Sequence, residues 1–572
     1  MGTGSNHLSR STQFFAMGAL LSVLLPACAP TTSYGPDASQ SAISDAEGNS
    51  GTFAYRAAES TVREGLRNIS QRYIDPVDMD EIALGGLRGL ATIDPSLEFS
   101  MDPDSRQINV NRGPSLLAHL TAPDAATTDA AAWARLTTDI LRAGRGVSPE
   151  LHDADSERVY EAVFDGMLSH LDVFSRYAGA AEARANRARR DGFGGIGIRF
   201  TKADDGILVT HVAADSPAMN GGLKPGDMIT RVNTNATDGL KLRAVAKMLR
   251  GPVGSLISLN VSRLTNEAGA PERQIAFNLK RAHIVPETVR VVVDRGLMVL
   301  RVTSFNKNTS SAMHDILRAN DAAMRSGAIK GVVMDLRGNP GGLLSQAVNV
   351  ADLFVNKGRI IATMGRHPDS LHDYRAGGVD LARGLPLAIL VDGDSASSAE
   401  IVASALQDLG RAVVIGSASY GKGTVQTVIR LPNDGEVTLT WSRFVSPSGY
   451  AIHGLGVMPA VCATNADAPS ARTKLGHAPA AASQRQAETL LTVAILDLSH
   501  IVAGFSTMDA WRAAGLIFDG RRDSLRSACP ARTLKPGKSG DLLMKLASRV
   551  INDPTLYERA VLLSQPISTA SR

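Results

Sequence analysis

A length of 572 residues allows roughly two to four domains. The chain is 44% hydrophobic and 20% charged, which is ordinary for a soluble protein. A net charge of +4, with no long basic tract, argues against nucleic acid as a partner.

Residues 1–28 read as a targeting segment. A positive region with His7 and Arg10 precedes an apolar run from Phe14 to Leu25. That run is shorter than the roughly 17–25 residues that span a bilayer, so it reads as the h-region of a secretory signal. It ends in Leu25-Pro26-Ala27-Cys28, which resembles the bacterial lipobox, with Pro26 as its unusual member. Cys28 is the lipidation site this implies. Ala29, rather than Asp, follows it and leans toward the outer membrane. The expected location is the periplasmic side of the cell envelope, held to the membrane by lipid alone. Of the three cysteines, Cys462 and Cys529 then remain, an even pair in an oxidising compartment. They are expected to form a disulfide, the alternative being two buried thiols.

Residues 29–52 are rich in Ser, Thr, Ala, Gly and Asp and read as a flexible tether. Residues 53–190 are expected to be a helical N-terminal region. Val62, Leu66, Ile69 and Tyr73 follow helical spacing, and further helices are expected over 129–143 and 156–177. From 191 to 284 the pattern changes to alternating strands broken by turns, with one amphipathic helix near 242–251. From 285 to 464, apolar strands at 296–302, 331–336, 387–392 and 412–416 alternate with helical patterns at 308–325, 343–355 and 398–409. That alternation predicts an α/β domain. Residues 465–485 read as an Ala-, Ser- and Pro-rich linker, and 486–572 as a helical C-terminal region.

"GDSASSAEI" (393–401) places Ser395, Ser397 and Ser398 between a buried strand and a helix. The bland reading is that Ser395 or Ser397 caps the helix. The functional reading is a nucleophile at a helix N-terminus, where free N–H groups and the dipole stabilise a developing oxyanion. No histidine lies nearby. Lys422, between Gly421 and Gly423, serves as a base only when neutral, and burial lowers a lysine's ordinary pKa of about 10.4. Gln426 lies four residues on, which is the same face in strand or helix. Its amide oxygen orients an amine without adding charge. Read alone, Lys422 is a surface lysine in a Gly loop. An oxyanion hole needs two N–H donors. The backbone of Ser398 is one, and "DLRGNPGGLL" (335–344) offers a glycine for the other.

Taken together, D-L-R-G-N-P-G-G-L-L, S-A-S-S-A-E-I-V-A-S-A-L-Q-D and Y-G-K-G-T-V-Q resemble the carboxyl-terminal processing peptidases, or tail-specific proteases, over roughly residues 156–462. That family's catalytic lysine lies 25 residues after the serine, which is the spacing from Ser397 to Lys422. The resemblance implies Ser397 as nucleophile, Lys422 as base and Gln426 as the residue holding the lysine. It implies an oxyanion hole from the N–H groups of Ser398 and Gly341, with Gly342 as the fallback donor. It implies an α/β multidomain protein with a ClpP/crotonase-like core. "SPAMNGGLKPGDMITRVN" is PDZ-like, and Gly194, Gly195, Ile196, Gly197 and Ile198 resemble the loop that captures a terminal carboxylate. The chain departs from the family at Ser398-Ala399, His453 and Ala460.

The expected function is a serine endopeptidase that recognises apolar, unstructured C-terminal tails of secreted or envelope proteins and cuts upstream of them. No cofactor and no metal are expected, since no His or Cys cluster has zinc spacing. An activating adaptor and a homodimer are compatible by family analogy. The rival reading is a PDZ-type envelope scaffold whose protease site is inactive or repressed. A Ser-His-Asp hydrolase is the weaker rival, because none of the 12 histidines sits in a recognisable motif.

Overall fold

The four strands expected from continuous apolar runs form the centre of the core sheet, and two strands that were not expected, Val289–Asp294 and Val461–Cys462, flank them. In the computed structural model the six run in the order Val289–Asp294, Leu297–Val302, Gly331–Asp335, Leu387–Val391, Val413–Gly416, Val461–Cys462. The first pair is antiparallel and the rest are parallel. Parallel strands are buried on both faces, which is why the sequence shows apolar runs rather than alternation. The structure describes residues 53–124, 129–203, 206–264, 272–463, 508–513, 515, 525–534 and 541–565. Cys28, the signal segment, the tether and the 465–485 linker lie outside them. Among the described residues, no helix is long and apolar enough to cross a membrane.

One face of this sheet packs Met298, Leu300, Val332, Met334, Ile389 and Val414 against the helices Thr309–Ala319, Leu344–Asp352 and Ser398–Asp408. The opposite face carries Leu297, Val333, Ala388, Leu390, Val413 and Ile415. It is covered by Leu543, Leu546, Ala547, Val550 and Ile551 of the helix Leu542–Asn552, with Ala560 of the helix Pro554–Ser564. The C-terminal region therefore supplies one of the three layers of the core. A buried ion network pins it. Arg337 is 2% exposed; it donates to both carboxylate oxygens of Asp335 at 2.9 Å and to those of Asp541 at 3.0 and 2.8 Å. Asp541 also caps its helix by accepting from Leu543 N–H.

A second sheet packs Ile360, Ile361 and Phe444 into the same core: His372–Arg375, Arg359–Met364, Glu436–Val445 and Thr424–Arg430 pair in that order, and Arg176–Ala178 adds to Glu436–Val445. The 191–284 module is built on a six-stranded antiparallel sheet, with Asn235–Ala236 pairing beside Met228–Val232 and Ile198–Ala203 as an edge strand, and it carries the helix Leu242–Leu249 as expected. The N-terminal region departs from expectation. Helices Tyr55–Arg72, Met79–Gly89, Ala130–Val147 and Ser156–Leu168 form, but residues 97–121 make a three-stranded antiparallel meander. Its middle strand alternates burial, with Ile108 and Val110 inward. The first turn, Asp102–Arg106, is acidic and polar, and the middle strand itself carries Asn109 and Asn111, so the short period is hidden within a segment that otherwise reads by composition.

Cys462 and Cys529 are bonded, with Cα atoms 6.0 Å apart and a sequence separation of 67. A cross-link closing a loop of that length removes about 4 kcal/mol of unfolded-state entropy. Cys529→Ser is therefore expected to lower the melting temperature to that of the reduced wild type. Alkylation of the unreduced wild type should label neither residue; labelling of both would remove the bond.

Candidate active site

The strand Leu387–Val391 ends at Asp392, and the chain turns through Gly393–Ser397 into the helix Ser398–Asp408. The three serines separate by environment. Ser395 is fully buried, and its hydroxyl lies 2.9 Å from Leu336 O and 3.0 Å from Asp392 Oδ1 while accepting from Asp392 N–H. It is consumed in fastening two loops. Ser398 Oγ donates to Gly342 O at 3.0 Å. Ser397 is half-buried in the cleft with φ 55° and ψ −115°, a strained conformation for a residue with a Cβ. Strain at a sharp strand-to-helix turn is how a nucleophile's side chain is lifted out of a sheet.

The turn is held by a residue that the sequence reading passed over. Glu400 is 1% exposed. Its carboxylate accepts Ser397 N–H at 2.7 Å, Ser419 Oγ at 2.5 Å, Gly421 N–H at 2.7 Å and Lys422 N–H at 2.9 Å. Burial pushes its pKa up, and these hydrogen bonds oppose the rise. One carboxylate thus ties the serine turn to the lysine loop. The signal was present as Ser397-x-x-Glu400, the spacing of a capping box.

Ser397, Ser398, Gly341, Gly342, Lys422 and Gln426 all line one cleft of about 560 Å³. Lys422 precedes the strand Thr424–Arg430, whose register shifts between Val425 and Gln426. The expected strand periodicity between Lys422 and Gln426 therefore does not apply, although both face the cleft. Gln426 Nε2 donates to Thr424 Oγ1 at 2.8 Å and Thr440 Oγ1 at 3.3 Å, which leaves Oε1 as its acceptor. The Lys422 ammonium position lies 4.9 Å from the ring centroid of Phe174, and His453 packs edge-on against the same ring at 6.0 Å. Phe174 comes from "DVFSRY", in the loop after the helix Ser156–Leu168, and its part in the cleft was not legible from spacing.

Burial lowers the Lys422 pKa and the nearby Arg176 charge lowers it further, against Asp172 and Glu400, which raise it. A lowered pKa enlarges the neutral fraction near pH 7. Arg176→Ala removes one lowering charge, so the rising limb of a lysine-dependent pH–rate profile is expected to move to higher pH. Asp172→Asn should move it to lower pH. A profile unmoved by both substitutions would separate the activity from Lys422.

The glycine loop is anchored by Asn339, which is fully buried. Its Nδ2 donates to Val302 O at 2.9 Å, its O accepts Ala396 N–H at 2.9 Å, and its Oδ1 accepts Gly341 N–H at 2.9 Å. The first-choice oxyanion donor, Gly341, is therefore engaged in this conformation. Gly341 still touches the serine turn: an added Cβ would lie 2.8 Å from Ser397 Cβ and 3.0 Å from Ser398 N. Among the described residues, the N–H groups of Gly342 and Ser398 have no acceptor. Gly342 is held by flanking bonds, Phe305 N–H to Gly341 O and Leu343 N–H to Phe305 O. A Cβ there would come within 2.0 Å of Phe305 O, so this position admits only glycine.

The remaining predicted residues form a second site. Gly195, Ile196, Gly197 and Ile198 line a groove of about 180 Å³ with Phe200, Ala246 and Leu249, between the edge strand Ile198–Ala203 and the helix Leu242–Leu249. Gly197 has φ +82°. Gly194 does not line the groove. Its carbonyl accepts Gly251 N–H at 3.0 Å, and an added Cβ would meet Gly251 O at 1.9 Å, so its task is a close backbone approach. Among the described residues, no His, Cys, Asp and Glu group could hold a metal ion.

Residues 296–462 match the family model for Peptidase family S41, and residues 194–273 match that for a PDZ domain. A carboxy-terminal-processing protease of Bartonella bacilliformis is 36% identical over 306 residues, 53% of this chain and 69% of that protein. A probable CtpA-like serine protease of Staphylococcus epidermidis is 32% identical over 311 residues, 54% of this chain and 61% of that protein. This chain thus spans about three fifths of the length of the staphylococcal relative. A solved photosystem II D1 C-terminal processing protease is 24% identical and covers 66% of this chain and 92% of its own, with a TM-score of 0.33. With the two family models side by side in the chain and a relative matched over most of its length, this protein belongs to the carboxy-terminal-processing proteases, peptidase family S41 with a PDZ domain.

Proposed function

We propose that the protein is a lipid-anchored serine endopeptidase of the bacterial envelope, working through a Ser397/Lys422 dyad on a ClpP/crotonase-like core. The observation that carries this reading is the strained Ser397 at a helix N-terminus, sharing a cleft with Lys422 and joined to its loop through Glu400. Neutral Lys422 takes the Ser397 hydroxyl proton as Oγ attacks the peptide carbonyl. The N–H groups of Ser398 and Gly342 receive the oxyanion. The lysine ammonium then gives its proton to the leaving amine, and the acyl-enzyme forms. Lys422 next deprotonates a water that attacks the ester, and Ser397 is regenerated. Gln426 Oε1 accepts from the lysine and fixes its direction. The 195–198 loop binds the terminal carboxylate of an apolar tail, which adds as a strand along Ile198–Ala203.

The test is cleavage of an unstructured peptide with an apolar free C-terminus beside its C-terminally amidated twin. Faster cleavage of the free acid is expected, by roughly tenfold or more, since a charge-assisted bond is worth about 1.5–3 kcal/mol. Equal cleavage would keep the protease and remove tail capture.

A second reading is favoured by one contact. Lys422 rests on the Phe174 ring, where the ammonium form is favoured. This suits a resting site that a partner or a bound tail must release. Wild type that binds the free-acid peptide without cutting it would support this repressed form over the constitutive enzyme.

A further inference from the structure

We infer that the edge strand Val289–Asp294 is a self-pairing surface that joins two copies of this chain through an antiparallel strand contact centred on Val292. The strand ends the core sheet, and among the described residues no other strand pairs with its outer side. Val291, Val292 and Val293 are 37%, 62% and 49% exposed. Exposed edges are normally guarded by charge, proline or a bulge; here three valines run together in regular register with Leu297–Val302.

The sequence Arg290-Val291-Val292-Val293-Asp294 is complementary to itself when reversed. A two-fold axis through Val292 sets Arg290 of each copy opposite Asp294 of the other, Val291 opposite Val293, and Val292 opposite Val292. The backbone phase agrees. Arg295 and Gly296 both have positive φ, 49° and 80°, so the hairpin turn is the two-residue type I′ form and Asp294 with Leu297 is its hydrogen-bonded closing pair. Alternation then directs the N–H and C=O groups of Val291 and Val293 outward. These are the two residues that the symmetric register matches with each other.

The charges also favour a partner. Within the chain, Arg290 lies directly opposite Arg301, and Arg301 is engaged with Asp335 at 2.7 Å. Like charges in that relation are unfavourable. Among the described residues, Asp294 has only the neighbouring Arg295, at 3.6 Å and with both side chains exposed. A second copy supplies Asp294 beside Arg290 and Arg290 beside Asp294. A strand contact of this length is at the small end of specific interfaces, so the association is expected to depend on concentration.

The test uses the full chain in sedimentation equilibrium, as wild type, Arg290→Asp, Asp294→Arg and the double exchange. Each single reversal places two like-charge pairs across the axis and should raise the dimer dissociation constant at least about tenfold. The double exchange should restore the wild-type value, which no folding defect would do. Val292→Cys should cross-link copy to copy under oxidation, because the central pair sits at a Cα separation of about 4.5 Å. A monomer at every concentration overturns the inference. So does a dimer that both single reversals leave intact. Reversals that alter peptide cleavage but not mass would give the edge to the substrate and equally overturn it.

Discussion

Ser397→Ala and Lys422→Ala should each lower kcat by roughly 10⁴-fold or more, and the double variant should fall no further, because a nucleophile and its base act as one unit. Lys422→Arg should not rescue, since a guanidinium stays protonated and accepts no proton. Both single variants should still bind a free-acid tail, because the PDZ groove is lined by Ile196, Ile198, Phe200 and Leu249 and contains neither residue. The measurement is single-turnover peptide cleavage with binding followed separately. Substantial activity in Lys422→Ala would end the dyad and return attention to a histidine base. His453 would then be the first to substitute, as it packs on Phe174 beside the lysine.

Much of this site was legible because its chemistry is local in sequence. The buried strands, the Gly-rich turn and the helix start each carry their own signal, but the choice of Ser397 among three neighbours came from the family resemblance, whose serine-to-lysine spacing it matches. What escaped was long-range. Nothing near Phe174 in the chain says that its ring will meet Lys422, some 250 residues on. Asn339 reads as part of a turn, yet its side chain decides which of two glycines keeps a free N–H. Glu400 sits on a helix face that patterning would assign to apolar residues. It is tolerated there because four donors converge on it, and a buried charge without them would be costly. Gly194 failed for a related reason: glycine marks close approach as well as ligand access, and only the position of Gly251 separates the two.

Ending the chain before Asp541 should leave a protein that does not fold, although the family-model match closes at residue 462. The truncation uncovers Leu297, Val333, Leu390, Val413 and Ile415 together. It also withdraws Leu543, Leu546, Val550 and Ile551, each contributing about 1.5–3 kcal/mol of burial, a sum comparable to the 5–15 kcal/mol that holds a typical domain. Point variants separate packing from charge. Leu546→Ala should cost about 2–5 kcal/mol and leave kcat unchanged in the folded fraction. Asp541→Ala takes one of two carboxylates from the buried Arg337, whose pKa burial lowers and the hydrogen bonds of Asp335 and Asp541 raise more. Asp335 still neutralises the guanidinium, so the loss is that of buried N–H donors left without an acceptor, about 1–3 kcal/mol. Arg337 adjoins Gly338-Asn339, so the loop that carries both glycine donors should loosen, and kcat should fall several-fold even where the protein is fully folded. Denaturant midpoints and kcat for the two variants check this. A soluble, active truncation would show that the sheet's second face is covered by something other than the C-terminal helices.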